Sequence, residues 1–450
     1  MQINESLSAK SLLPDLERFW GVSGQKINDL NQNYDPAKGS PVFTIEGQYT
    51  TRGWTEWTQG FQYGAEILQF DATGDLQYLE MGKKNTVGKM APHITHFGVH
   101  DHGFNNVSTY GNLLRLMNEG RIAENEWERN FYEMALKASG AVQARRWTAL
   151  PSGGYIYSFN GPHSLFADTI RSLRALAVAH QLGQPFMGEN DKQTPLLERL
   201  VMHAKTTADF AVYYGEGRDH YDLWGRTAHE SIFNLNDGNY RCPNSQQGFS
   251  PFTTWTRGLA WVMVGAAEQL EFIATLDDTE LEPLGGRESI EAFLLKMAKA
   301  TCDFYIDHSA ADGIPYWDTG ALNTHKLGDD IYDRESDPFN DAEPVDSSAA
   351  AIGAQGLLRL GRYLNDEKYT RAGLTVMKTL LGDTYLSLDE SHQGLILHSV
   401  YHRPNGWDHI PEGQSVPCGE SSMWGDYHAR EAALYVQRLA KDEPYLKFFI

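Results

Sequence analysis

The stretch Asp346-Ser347-Ser348-Ala349-Ala350-Ala351-Ile352-Gly353-Ala354-Gln355-Gly356-Leu357-Leu358 carries small or apolar residues nearly all round a helical wheel. A helix with that pattern has no solvent face and must be covered on every side. Trp261-Val262-Met263-Val264-Gly265-Ala266-Ala267 reads the same way. Outward from these two, i, i+3, i+4 apolar spacing predicts helices over residues 12–30, 58–69, 76–90, 110–117, 127–139 and 168–182. It continues over 195–213, 256–273, 290–307, 347–364, 369–381 and 427–439, with no sustained alternating strand between them. Such helices in six antiparallel pairs close into a toroid whose inner ring holds the fully buried members and whose pocket opens at one end. The expected fold class is therefore all-α, an (α/α)6 barrel. Gly-aromatic turns at Gly153-Gly154-Tyr155, Asp237-Gly238-Asn239-Tyr240, Asp312-Gly313-Ile314-Pro315-Tyr316 and Gln393-Gly394-Leu395 predict short β-hairpin loops at the pocket rim. No Pro- or Ser-rich linker divides the chain, so residues 1–450 are expected to form one catalytic domain.

A hydrophobic fraction of 41% with 22% charged residues describes a globular chain able to bury a large core. Lys plus Arg total 38 against 59 Asp plus Glu, a net charge of −21, which argues against nucleic acid or an anionic membrane as partner. Cys242, Cys302 and Cys418 are few and far apart, as in a reducing compartment, and offer no metal knuckle. MQINESLSAK at the start has no apolar core of a signal peptide, and no run of about eighteen apolar residues occurs. A cytoplasmic location is expected, or a periplasmic one if a leader has been removed. Oligomeric state leaves no mark in the sequence.

Two carboxylates stand out. Asp101 lies within His96-Phe97-Gly98-Val99-His100-Asp101-His102-Gly103-Phe104, and Asp168 within Leu165-Phe166-Ala167-Asp168-Thr169-Ile170. Each sits among aromatic and apolar residues, where a surface aspartate would have polar neighbours. Desolvation and a second carboxylate nearby both raise an aspartate pKa, and together they can keep one proton at neutral pH. Paired aspartates with Trp and Phe around them suit acid–base chemistry on a sugar. Asp168, Asp346 and Thr254 also stand where helices begin and are competent N-caps. A helix N-terminus favours the ionised carboxylate by about 0.3–1 kcal/mol. Desolvation works the other way at roughly 1.4 kcal/mol per pKa unit, so a dry pocket is expected to raise Asp168.

Trp57 and Phe61 are spaced i, i+4 and share a helical face, as a sugar-stacking platform or as a core stripe. In Thr254-Trp255-Thr256-Arg257-Gly258-Leu259-Ala260-Trp261 a cation stands between two indoles. Arg257 there could bind a carboxylated sugar bidentately or close a structural salt bridge. His93, His96, His100 and His102 invite a metal reading. However, the HxH pair of metal hydrolases usually ends a barrel strand, and no β/α alternation exists here. Neither metal nor cofactor is expected. No P-loop or dinucleotide glycine motif precedes a strand, and no G-x-S-x-G elbow is present.

From about Trp54 to Tyr427 these pieces together resemble the unsaturated glucuronyl hydrolases, glycoside hydrolase family 88. The matching pieces are W-x3-F at Trp57 and Phe61, HD-x-GF from His100 to Phe104, A-D-T at Asp168 and Gln247-Gly248-Phe249-Ser250. W-x-R-G-x-A-W from Trp255 to Trp261, DSSAAAI from Asp346 and Trp424-Gly425-Asp426-Tyr427 complete the set. The family's (α/α)6 barrel agrees with the independent helix count. The resemblance implies that Asp168 is the general acid/base and Asp101 the second essential carboxylate. It places Trp57, Phe61, His100, His229, Gln247, Trp255, Arg257, Trp261, Ser422 and Trp424 at the substrate. Departures fall at Gln246-Gln247-Gly248, where the family often has His-Gln-Gly, at Leu259, where it has Gln, and at an apparent insertion over 216–224.

By the same resemblance the substrate is an oligosaccharide ending in a 4,5-unsaturated uronic acid left by a polysaccharide lyase. Family members hydrate its C4–C5 double bond and do not displace at the anomeric carbon, so the carboxylate-separation rule of ordinary glycosidases does not apply. Rivals are the related family 105 unsaturated rhamnogalacturonyl hydrolases, an (α/α)6 lyase or epimerase, and a non-catalytic saccharide-binding protein. The uronate, the leaving sugar and tolerance of sulfate are not written in these motifs.

Overall fold

The computed structural model describes residues 1–52 and 56–449. Trp54, where the family resemblance begins, lies outside the described residues. Among the described residues twelve long helices alternate between an outer and an inner layer. The outer ones are α1 (Leu13–Asn33), α3 (Leu76–Lys89), α5 (Glu126–Arg145), α7 (Leu196–Phe210), α9 (Arg287–Asp307) and α11 (Glu367–Leu380). The inner ones are α2 (Gln59–Thr73), α4 (102–118), α6 (169–181), α8 (Thr256–Ile273), α10 (Ser347–Leu364) and α12 (Met423–Ala440). Each inner helix packs on the next and α12 packs back on α2, so the ring closes as the (α/α)6 barrel the periodicity predicts. Burial follows the layers: every residue of α8 is buried, whereas α1 keeps a wet face.

The inner helices approach closely because glycines face their seams. A Cβ at Gly103 of α4 would fall 2.3 Å from the Ser172 carbonyl oxygen of α6. One at Gly356 of α10 would meet Met263 and Val264 of α8 at 2.7–2.9 Å. Gly60 of α2 against Asn105 and Gly265 of α8 against Arg171 do the same on other seams. A buried ion cluster ties four of the inner helices together. Glu431 of α12 lies 2.7 Å from Arg171 and 3.3 Å from Arg174 of α6, and Arg359 of α10 lies 2.7 Å from Glu271 of α8. Glu268 of α8 also pairs with Arg171. Three guanidiniums face three carboxyl groups, so each cation of this cluster has an acidic partner.

Two helices differ from their periodicity. α4 starts at His102, eight residues before the expected 110, and carries a π-turn at Val107–Gly111. Its first turns hold His102, Asn105 and Asn106, which are buried through side-chain hydrogen bonds, so no apolar stripe announces them. α6 runs as Thr169–Ser172 and Arg174–Gln181, broken at Leu173. Short antiparallel pairs decorate the loops: β1 (Phe43–Ile45) with β2 (Gln48–Thr50), β3 (Trp147–Leu150) with β4 (Gly153–Ile156), and β6 (Pro185–Met187) with β7 (Gln193–Pro195). β5 (Ser164–Phe166), β8 (Glu230–Phe233) and β9 (Tyr240–Asn244) form a three-stranded sheet in the order 5-8-9. The predicted turns at Gly153-Gly154 and Asp237-Gly238 fall in or between these strands. Among the described residues no helix is long and apolar enough to cross a membrane.

Candidate active site

A cavity of about 160 Å³ opens where the inner helices begin. Its residues come from the loops entering those helices: Trp57 before α2, His100 and Asp101 before α4, Asp168 before α6, Trp255 before α8, and Tyr401 to Trp407 before α12. Helix N-termini converging on one space carry partial positive charge, a setting that favours an acidic ligand.

His100 stands between the two carboxylates. Its Nε2 is 3.7 Å from an Asp101 oxygen and 3.8 Å from Asp168 Oδ1, so both aspartates face the same cavity. The His100 carbonyl accepts from Gln143 Nε2 at 3.0 Å and from Ser172 Oγ at 2.7 Å, which fixes this turn on α5 and α6. Arg146 holds the preceding loop through the carbonyls of Tyr157 and Ser158 and of Phe97. Burial works against a charged His100, but Asp101 and Asp168 outweigh it and raise its pKa above the ordinary 6.5. Burial also raises Asp101, opposed by His100 and helped by Asp168. For Asp168 burial pushes up, yet the His100 ring beside it wins, and its pKa falls below the ordinary carboxylate value. This reverses the expectation for Asp168. The cation that decides it comes from His100, a neighbour in space of both aspartates but adjacent in sequence only to Asp101. These directions favour a proton on His100 over one on Asp168.

Asp168 occupies the N-cap position of α6 without making a side-chain cap bond, and its buried Oδ1 has no hydrogen-bond partner. Asp346 caps α10 as expected, accepting from the N–H groups of Ser348 at 3.0 Å and Ala349 at 3.4 Å. Thr254 does not cap α8; Trp255 takes that position and Thr254 Oγ1 accepts from the Thr227 N–H.

The expected platform divides into a surface and its support. Trp57 lines the cavity and stacks on Trp424, ring centroids 5.1 Å apart at 23°. Phe61 and Trp424 are fully buried and do not line it; Phe61 packs edge-on beneath Trp57 at 5.8 Å. Trp255 and Trp261 reach the cavity wall. Arg257 is layered between Trp255 and Trp424, its Cζ 4.7 and 4.6 Å from their ring centroids. It closes the structural salt bridge that its sequence context allowed, its Nε 3.8 Å from Asp346, and it also lines the cavity. Its Nη2 donates to the Tyr401 carbonyl at 2.6 Å and to Gln247 Oε1 at 3.2 Å. Since arginine can only donate, Gln247 must turn its Nε2 donors elsewhere.

His229 and Ser422 are not on the cavity surface. His229 stands behind the wall against Phe166 and Trp255, ring centroids 4.4 and 4.7 Å away, and its Nδ1 accepts from the Gln246 and Gln247 N–H groups at 3.0 and 3.3 Å. Burial lowers its pKa to about 4, so it is neutral with its proton on Nε2. Ser422 caps α12 by accepting from the Gly425 N–H. The histidines of the HxH pair engage different partners, for His102 bonds Ser139 Oγ and the His96 carbonyl.

Tyr401, His402, Asn405 and Trp407 also line the cavity and escaped the sequence reading. The Asp408 carboxylate clamps their loop by accepting the N–H groups of Tyr401 and His402. The available signal was an aromatic-rich Tyr-His-Arg-Pro-Asn-Gly-Trp segment ahead of an inner helix.

No family model matches the chain. It is 26% identical over 408 residues to an unsaturated glucuronyl hydrolase of Bacillus sp. (strain GL1), covering 87% of this chain and 89% of that protein. It is 25% identical over 393 residues to one from Formosa agariphila, covering 85% and 80%. The crystal structure of the Bacillus sp. GL1 enzyme superposes with a TM-score of 0.70 at 22% identity over 94% of this chain and 97% of that one, which establishes the shared fold. Distant relatives and the shared fold place the chain with the unsaturated glucuronyl hydrolases. It is accordingly a glycoside hydrolase.

Proposed function

We propose that this family member removes a terminal 4,5-unsaturated uronic acid from lyase-generated oligosaccharides by hydrating the C4–C5 double bond. The observation that carries the reading is the Asp101–His100–Asp168 cluster, two buried carboxylates about one imidazole in an aromatic-walled cavity at converging helix N-termini. Asp168, charged with the proton that rests on His100, protonates C4. The positive charge that develops at C5 is shared with the ring oxygen and lies beside the carboxylates. Asp168, ionised again, takes a proton from water as its oxygen adds to C5. The resulting hemiketal opens, the hemiacetal at C1 expels the neighbouring sugar as an alcohol, and an α-keto acid remains.

Trp57 and Trp255 offer stacking faces, while Gln247 Nε2 and Arg257 offer donors to carboxylate or hydroxyl oxygens. A second assignment, with Asp101 as the acid, is favoured by one observation, the opposite pKa shifts of the two aspartates. Incubation with unsaturated disaccharides from several lyases, rhamnogalacturonyl products included, tests the reading through loss of their near-ultraviolet absorbance. Turnover of none would sink it. Turnover by Asp101→Asn but not by Asp168→Asn assigns the acid to Asp168, and the reverse assigns it to Asp101.

A further inference from the structure

Four consecutive backbone N–H groups, from Gln246 to Phe249, end on side-chain acceptors brought from three places. His229 Nδ1 takes those of Gln246 and Gln247, Ser245 Oγ takes that of Gly248 at 3.0 Å, and Asp318 Oδ2 takes that of Phe249 at 2.8 Å. Asp318 is fully buried in the loop between α9 and α10, and its other oxygen accepts the Gly320 N–H at 3.0 Å. The segment carrying it pairs with the entry to α8: Thr256 N–H donates to the Trp317 carbonyl at 3.1 Å and Thr319 N–H to that of Thr254 at 3.0 Å. The same segment that anchors Trp255 and Arg257 thus also reaches across to the turn bearing Gln246 and Gln247. Gly248 allows this, since a Cβ there would stand 2.8 Å from Trp255 Cβ and 3.0 Å from Asp318 Oδ2.

We infer that Asp318 is a positioning residue that sets the Gln247 amide against Arg257 and so fixes the donors presented to the substrate. The mechanism has no use for a buried carboxylate here, and none of its bonds goes to the cavity. Its two oxygens instead hold two backbone donors that neither a helix nor a strand satisfies. In Asp318→Asn one acceptor becomes a donor facing an N–H, so one of these bonds must break. Gln247 then swings away from Arg257 while Asp101 and Asp168 keep their places. The inference rests on reading the cavity as the uronide site.

Two measurements separate it from that reading. Without substrate, hydrogen exchange across residues 245–249 should be slow in the wild type and about tenfold faster in Asp318→Asn, with α8 unchanged. With an unsaturated disaccharide, Asp318→Asn should raise KM about tenfold with kcat little altered, and add nothing further in a Gln247→Ala background. Unchanged exchange, or losses that add independently to those of Gln247→Ala, would overturn the inference. If Asp318→Asn does not fold, Ser245→Ala removes the neighbouring acceptor and is judged by the same exchange and the same coupling to Gln247→Ala. A wild type that turns over no unsaturated uronide rejects the substrate reading, and the exchange arm still judges Asp318.

Discussion

At the scale of single residues, the chemistry is set by one histidine between two aspartates. Asp168→Asn keeps the volume and a hydrogen-bonding group but removes the proton carrier, so kcat should fall by about 10²–10⁴-fold with KM little changed. Steady-state kinetics on an unsaturated disaccharide checks this, and near-wild-type turnover would move the acid to Asp101. The pH profile carries the second residue-scale prediction. The pKa of His100 lies above the ordinary 6.5, so it keeps its proton to higher pH than a free imidazole and loses it as pH rises through the raised value. The rate should therefore decline on the alkaline side, beginning above pH 6.5, and His100→Asn should abolish that limb along with most activity. A wild-type profile flat from pH 6 to 9 would show that the His100 proton is not used.

At the scale of elements, the inner ring depends on backbone-to-backbone contact. Gly356 sits where α10 meets α8, away from the cavity, and an added methyl would press on Met263 and Val264 backbone atoms. Gly356→Ala should destabilise the protein by about 1–3 kcal/mol despite the better helix propensity of alanine. Denaturant unfolding should show a lower midpoint with an unchanged slope. A variant as stable as the wild type would mean that the seam can open at no cost.

At the scale of the whole molecule, buried carboxylates and buried histidines set how stability follows pH in opposite directions. Burial raises Glu66 and Glu271 from the ordinary 4.5 to about 7, against hydrogen bonds from Asn85 and Asn31 in the first case and the Arg359 charge in the second. Groups raised on folding contribute stability that is complete below 4.5 and lost as pH rises through about 7. Asp71 and Glu431, lowered chiefly by arginines against their burial, act in the opposite direction but only below their ordinary values. Seven buried histidines, His93, His102, His203, His229, His398, His402 and His428, are held by burial at about 3 to 4 against the ordinary 6.5, and they add stability as pH rises toward 6.5. They outnumber the raised carboxylates, so Tm should rise from pH 5 to about 6.5, and Glu66→Gln should steepen that rise. A Tm that falls from pH 5 to 6.5 would contradict the assignment.

The sequence by itself determined the layers. A helix apolar on every side, such as 347–358, must be covered all round by other elements, and about a dozen periodic segments separated by single loops can close into a toroid that does so. Local motif order also marked Asp101, Asp168, Trp57, Trp255 and Arg257, because sugar chemistry draws on few residue types. Tertiary structure alone decided which marked residues meet the cavity. Phe61 and Trp424 carry the same aromatic signal as Trp57, and only packing depth makes them its support. The direction in which Asp168 shifts was equally hidden, since it depends on His100 lying within 4 Å of both carboxylates, one of them 68 residues away along the chain. The start of α4 and the Tyr401–Trp407 wall were missed for a related reason. Polar residues buried through their hydrogen bonds leave no periodicity, and a loop side chain's neighbours are fixed by the ring that carries it.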